Sequence, residues 1–341
     1  MVTIADVARE AQVSRSTASY ALSNKRSVSP EVRRNVKEAA QRLGFTPNAG
    51  AKALATSRTM VIGLLAHFLD DEFAPAMLQY IRGVTDNASR LGYDTLLIGE
   101  ADGVRALERI TRSRMVDGVV LLNVADNDER LPILRQVPQP GALIGLPGDC
   151  SGVDVFDLDF AAAGRLMVDH LHELGHREAL LVSQPEHVVA RGGAYVWRLK
   201  NAALEQAHLH GMRLHTAFGE VRQPEIGRTM HRLLDTYPDV TGLLINNEAA
   251  SAALPSVLHA RGKSVPADLS VVGRYSDEFA RTFSLPYTSV ESAPGLLGSL
   301  AVRQLVRRIT GTSKEETPWV RRFVHPELVD RASTGPPRCT T

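Results

Sequence analysis

The chain has 341 residues, 44% of them hydrophobic and 23% charged, with a formal net charge of +1. That is enough length for two or three domains of ordinary soluble composition. Two cysteines, Cys150 and Cys339, exclude a disulfide scaffold or a multi-cysteine metal site, and no uncharged apolar run approaches the about 18 residues of a membrane helix. The near-neutral total conceals an asymmetry. Residues 1–60 hold ten Lys/Arg against four Asp/Glu, a net +6 that leaves −5 for the rest, so only the head suits a polyanionic partner.

Three helix signals come first. Thr3 is a predicted N-cap with Asp6 three positions on, a variant of the capping box, and Ile4, Val7, Ala8 and Ala11 follow at helical spacing. After the turn Ala11-Gln12-Val13, Ser14 caps a second helix to about Leu22. Ser29-Pro30-Glu31 supplies N-cap, N1 proline and acidic first turn for a third, closed by Gly44. Two short helices joined by a tight turn, with a third completing the core, make a helix-turn-helix. Ala18, Ala21 and Leu22 form the packing stripe of the second helix. Arg15, Ser16, Ser19 and Tyr20 face the other way, as base edges and phosphates require.

Pro47 then stops the preceding structure, and Asn48 can cap a short helix of small residues, Ala49–Ala55, interrupted by Lys52 and Leu54. From Met60 the pattern changes to short apolar runs alternating with amphipathic stretches. Met60–Leu65, Thr95–Ile98, Gly118–Leu122, Ala142–Gly145, Ala179–Ser183, Gly242–Asn246 and Leu269–Gly273 read as buried parallel strands, and Ala161–Leu174 as one of the helices between them. Repeated βα units predict doubly wound parallel sheets, and about 270 residues exceed what one such sheet holds. The Pro-, Gly-, Ser- and Thr-rich residues 331–341 read as a flexible tail, with no heptad repeat for a coiled coil.

The blocks Thr3–Ala8, Val13–Ser19, Pro47-Asn48 and Ala53-Leu54 resemble the N-terminal signature of the lactose-repressor (LacI/GalR) family of bacterial transcriptional regulators. Gly175-His176-Arg177, Val265–Gly273 and Leu297-Gly298 fit in order further on. The resemblance implies a helix-turn-helix domain (1–46), a hinge helix and linker (47–58), and a periplasmic-binding-protein-like core (59–330) of two α/β lobes. The first lobe is expected over about 59–158 and 288–318, the second over 159–287 and 319–330. It also implies a cytoplasmic homodimer that binds a palindromic operator, most simply as a repressor, under the control of a sugar, nucleoside or similar effector in the interlobe cleft.

On that reading Arg15 and Ser16 are the base-contact candidates, joined on the DNA-facing side by Thr3 and Tyr20. Thr17, Ser19, Asn24, Lys25, Arg26, Asn48 and Lys52 are positioning groups, and Leu54 is the wedge driven into a minor-groove step. Tyr20 stands where many members carry arginine, so the half-site is expected to differ from theirs. The resemblance points to Phe73, Arg198 or Arg191, Asn247, Glu248, and Tyr275 or Asp277 as effector contacts. The last two arise because the family's Gly-Phe-Asp block reads Gly273-Arg274-Tyr275-Ser276-Asp277.

Neither cofactor nor metal is expected, and catalysis is not. The histidines include His208 and His210, whose i,i+2 spacing does not share a helix face, and no phosphate-cradling loop or nucleophile elbow occurs. A solute-binding receptor would account for the lobes but not for the basic head, and the N-terminus shows no export signal.

Overall fold

The computed structural model describes residues 2–23, 28–46, 53, 56–66, 73–311 and 318–338. Asn24, Lys25, Arg26, Asn48, Lys52, Leu54 and nearly all of the expected hinge helix lie outside them. The chain divides into two compact units, Met1–Thr59 and Met60–Thr341.

In the first unit, α1 (Ile4–Glu10) starts at Thr3 through a reciprocal cap. Thr3 Oγ1 accepts from the Asp6 amide at 3.4 Å, and the Asp6 carboxylate accepts from the Thr3 amide at 2.9 Å. Gln12, with φ of 52°, makes the turn into α2 (Arg15–Ser23), where Ser14 Oγ accepts from the Thr17 amide at 3.0 Å. Ser29 caps α3 (Pro30–Arg42), and Gly44 leaves it at φ of 63°. Val7, Ala8, Ala18, Ala21, Val36 and Ala39 form the core. The small residues on α2 are what let three short helices close on one another.

The second unit contains two sheets. The first has the order β11-β5-β4-β3-β1-β2: β1 (Val61–Leu65), β2 (Asp94–Ile98), β3 (Gly118–Leu121), β4 (Gly141–Ile144), β5 (Asp154–Leu158) and β11 (Arg321–Val324). The second has the order β12-β10-β9-β8-β6-β7: β6 (Glu178–Ser183), β7 (Arg213–Phe218), β8 (Gly242–Ile245), β9 (Ser270–Arg274), β10 (Thr288–Val290) and β12 (Leu328–Val329). All pairings are parallel except that of β10 with β12. The strands β3, β4 and β8 are buried along their whole length because helices cover both faces.

Those helices are α4 (Ala74–Arg90), α5 (Gly103–Arg112), α6 (Leu131–Gln136) and α13 (Pro294–Thr310) on the first lobe. The second carries α7 (Phe160–Glu173), α8 (Glu186–Ala190), α9 (Ala194–Leu209), α10 (Glu225–Thr236), α11 (Glu248–Ala260) and α12 (Asp277–Thr282). Where α13 crosses α4, a Cβ on Gly298 would lie 2.4 Å from the Gly83 carbonyl carbon, so backbone meets backbone there.

The sheet pairing moves the expected lobe boundaries. β10 belongs to the second lobe and β11 to the first, so the chain crosses back between Val290 and Pro294, a few residues after the expected position near 288, and again between Val324 and Leu328, later than the expected 319. Runs this short carry no sign of which sheet will accept their hydrogen bonds. Part of the expected tail is held in place. The Ser333 carbonyl accepts from the Val271 amide at 2.9 Å, and the Gly335 amide donates to Ser270 Oγ at 3.0 Å, so these residues pack along the second lobe.

Candidate functional site

The exposed side of α2 presents Arg15, Ser16 and Ser19, with Thr17 and Tyr20 half-buried beside the buried Ala18 and Ala21. No acid occupies its first turn, which leaves the positive end of the helix dipole unopposed. Thr3 spends its hydroxyl and amide on capping α1, and Thr17 Oγ1 lies 2.8 Å from Ser14 Oγ. The surface has the charge and hydrogen-bonding capacity of a duplex reader.

In the second unit a cavity of about 790 Å³ lies between the lobes, at the carboxyl ends of the parallel strands. That is where open α/β sheets place their ligands. Phe73 and Tyr80 line one wall, and Phe160 and Tyr195, with ring centroids 5.2 Å apart, contribute from the second lobe. The charges on its surface are largely paired. Arg130 holds Asp128 through two contacts of 2.9 and 2.7 Å. Burial opposes ionisation of Asp128, but Arg130 and the amides of Ala125 and Arg130 outweigh it and hold the carboxyl below the usual range.

Across the cavity Arg274 binds Glu248, donates through Nε to Asn246 Oδ1 at 2.6 Å, and lies 5.7 Å from the Phe160 ring centroid. Gln184 completes Glu248 with a 2.8 Å hydrogen bond. Burial works against the Arg274 charge and Glu248 more than restores it, so its pKa is raised. Burial likewise pushes the Tyr80 phenol up to about 12. Asp157, the second-last residue of β5, is 6% exposed and lines the cavity without an ion-pair partner among the described residues. Burial raises its carboxyl to about 7, against amide hydrogen bonds from Leu158 and Leu146.

Residues 3–48 match the bacterial regulatory proteins of the lacI family, and residues 168–334 match a periplasmic binding protein-like domain. The HTH-type transcriptional regulator CelR of Thermobifida fusca is 31% identical, over 97% of this chain and 98% of its own. The chain belongs to the lacI family. The HTH-type transcriptional repressor PurR of Haemophilus influenzae (strain PittEE) is 28% identical over 98% of both chains. Among solved structures, a CelR–cellobiose complex superposes with a TM-score of 0.66 at 29% identity, over 98% of this chain and all of that one. The Lac repressor dimer bound to operator and the anti-inducer ONPF reaches 0.80 at 22% identity, over 98% and 99%, a likeness of fold.

As a lacI-family member the chain is a DNA-binding transcriptional regulator, and its relatives are regulators, not enzymes. No helix among the described residues is long and apolar enough to cross a membrane.

Of the effector contacts expected for this lacI-family core, Phe73, Arg191 and Glu248 line the cavity, and Arg198, Asn247, Tyr275 and Asp277 do not. Arg198 donates to the Leu146 carbonyl at 2.9 Å and lies 3.4 Å from Asp126, tying second lobe to first. Asn247 caps α11 by accepting from the Ala250 amide at 2.9 Å and donates to the carbonyls of Ser183 and Gly219. Tyr275 is 1% exposed in the second-lobe core, its hydroxyl donating to the Tyr287 carbonyl at 2.8 Å. Asp277 pairs with Arg281 and Arg331 at 2.9 Å each.

Sequence reading missed Asp157, Arg274, Tyr80 and Gln184. Arg274 precedes Tyr275 by one position, and strand alternation sends that neighbour into the core. The available signal was a charged residue at the carboxyl end of a buried strand, present in both Asp157 and Arg274.

Proposed function

We propose that the chain is a repressor that binds a palindromic operator as a dimer in the cytoplasm, its affinity set by a neutral, hydroxyl-rich ligand of about disaccharide size in the interlobe cavity. The observation that carries the ligand class is charge pairing. Arg130 with Asp128, Arg274 with Glu248 and Arg105 with Asp102 pair within the wall, so most of its charges are neutralised and its donors and acceptors lie between aromatic faces. Such a wall favours a neutral polar molecule over an ion. At about 790 Å³ the cavity is near the top of the usual range of about 300–1,000 Å³, more than a single hexose needs. The relative captured with cellobiose supports the same class.

On the DNA side, Arg15 and Ser16 read bases, with Thr3, Thr17, Ser19 and Tyr20 around them. Asn24, Lys25, Arg26, Asn48, Lys52 and Leu54 extend the footprint through the loop and hinge. The two sites communicate by linkage: a ligand that fits one lobe arrangement better shifts the dimer toward or away from the spacing that suits both half-sites.

The test is selection of an operator from a random duplex library, followed by fluorescence anisotropy with cellobiose, ribose or adenosine added. We expect a disaccharide to change operator affinity, within the about 5–150-fold range typical of allosteric coupling. No selected sequence would overturn the DNA assignment; operator binding indifferent to every probe would overturn the ligand assignment.

A further inference from the structure

We infer that Asp157 is a specificity-determining residue of the cavity, that it accepts a hydrogen bond from a ligand hydroxyl in its ionised form, and that ligand binding therefore releases a proton. The inference rests on the reading above that the ligand is a neutral saccharide.

Geometry comes first. Asp157 is held by its own strand: Oδ1 accepts from the Leu158 amide at 2.9 Å, and the Leu146 amide also donates to the carboxyl. Both donors are neutral backbone groups, so the carboxyl is fixed in direction while its charge stays uncompensated by any ion pair. The other buried acids of the wall differ. Asp128 and Glu248 each have an arginine, and their lone pairs are engaged by protein donors. Asp157 is thus the buried carboxyl best placed to take a donor from outside.

The groups that face it come from several elements. Arg198 of α9 favours its charge and Asp159, two residues on, opposes it. Tyr80 of α4 feels Asp157, Arg274 and Glu248 together, and its phenol, at about 12, does not titrate near neutrality. Arg274 and Glu248 are locked to each other, and no histidine lines the cavity among the described residues. Burial lifts the Asp157 carboxyl to about 7, which places its change of charge between pH 6 and 8.

The sign follows from hydrogen bonding. A ligand hydroxyl that donates to the carboxylate stabilises the charged form, and charge-assisted bonds are about twice as strong as neutral ones. The bound pKa falls below the free one, so binding expels the proton. If only the ionised form binds well, apparent affinity follows the ionised fraction and rises about tenfold from pH 6 to pH 8. At pH 7 about half a proton per site is released.

The experiment is isothermal titration of the full chain with cellobiose and, separately, maltose. It is run at pH 6, 7 and 8, and at pH 7 in two buffers of different ionisation enthalpy. We expect about a tenfold gain in affinity from pH 6 to 8 and release of about half a proton at pH 7, both abolished in Asp157→Asn and in Asp157→Ser. The buffer comparison on the unaltered chain decides the matter even where a variant folds poorly. Binding with the same affinity at pH 6 and 8, or with no proton released, overturns the role of Asp157 while leaving the saccharide reading intact. Binding of neither sugar at any pH, with ribose and adenosine as further probes, overturns the saccharide reading and this inference with it.

Discussion

Asp154 and Arg308 form the most deeply buried ion pair of the first lobe, with side chains 0% and 2% exposed, and replacing Asp154 by Ala measures what that pair does. Asp154 lies at the start of β5, and Arg308 reaches it from α13 with Nη2 at 2.8 Å from Oδ1 and Nε on Oδ2. The same carboxylate accepts from the Val320 amide at 2.8 Å, just before β11, and Arg308 itself donates to the Pro318 carbonyl and lies 3.9 Å from the Trp319 ring centroid. One carboxyl therefore joins two strands and a helix.

Removing it leaves a guanidinium in the interior without its carboxylate, a change that costs about 3–5 kcal/mol. At about 2–4 °C per kcal/mol for a domain of this size, calorimetry of the full chain should show Tm lowered by about 6–20 °C. The double variant Asp154→Leu with Arg308→Met removes both charges and fills the space, and it should recover most of the loss, because a buried pair replaced by apolar side chains is often neutral in stability. A shift below about 2 °C for Asp154→Ala, or a double variant no better than the single one, would refute the reasoning, since the penalty is assigned to the stranded charge.

Tyr275→Phe should cost about 1 kcal/mol in urea denaturation, since the Tyr287 carbonyl keeps Arg331 as a donor, and should leave ligand affinity unchanged. A loss of ligand affinity would return Tyr275 to the cavity wall. Gly298→Ala should force α13 away from α4 and lower the urea midpoint by an amount equivalent to about 1–3 kcal/mol, with the slope unchanged; a silent substitution would show that the crossing yields easily.

The elements of this protein were written locally. Thr3, Ser14 and Ser29 mark helix starts by where their oxygens can reach an amide, and Gly44 marks an end by its left-handed backbone. The buried strands β1, β3, β4 and β8 are legible as unbroken apolar runs because helices cover both faces. Strands with polar breaks were not: β5 carries Asp154 and Asp157, and the edge strand β7 mixes Arg213, His215 and Thr216 with apolar residues.

What only the tertiary structure decided is which partner each group finds. Whether β10 and β11 join the first sheet or the second depends on hydrogen bonds to strands far away in sequence, which three or four residues cannot encode by themselves. The cavity follows the same rule. Arg274 and Tyr275 are neighbours in the chain, yet the pleat turns one toward Glu248 in the cavity and the other toward Tyr287 in the core. Arg198 has the residue type expected of a ligand contact, but the Leu146 carbonyl comes within its reach only when the two lobes are assembled. The chemistry a side chain can do is fixed by its type. Whether that chemistry meets a ligand, a neighbouring lobe or the core is fixed by long-range packing, in which each group must satisfy its hydrogen bonds where it is buried.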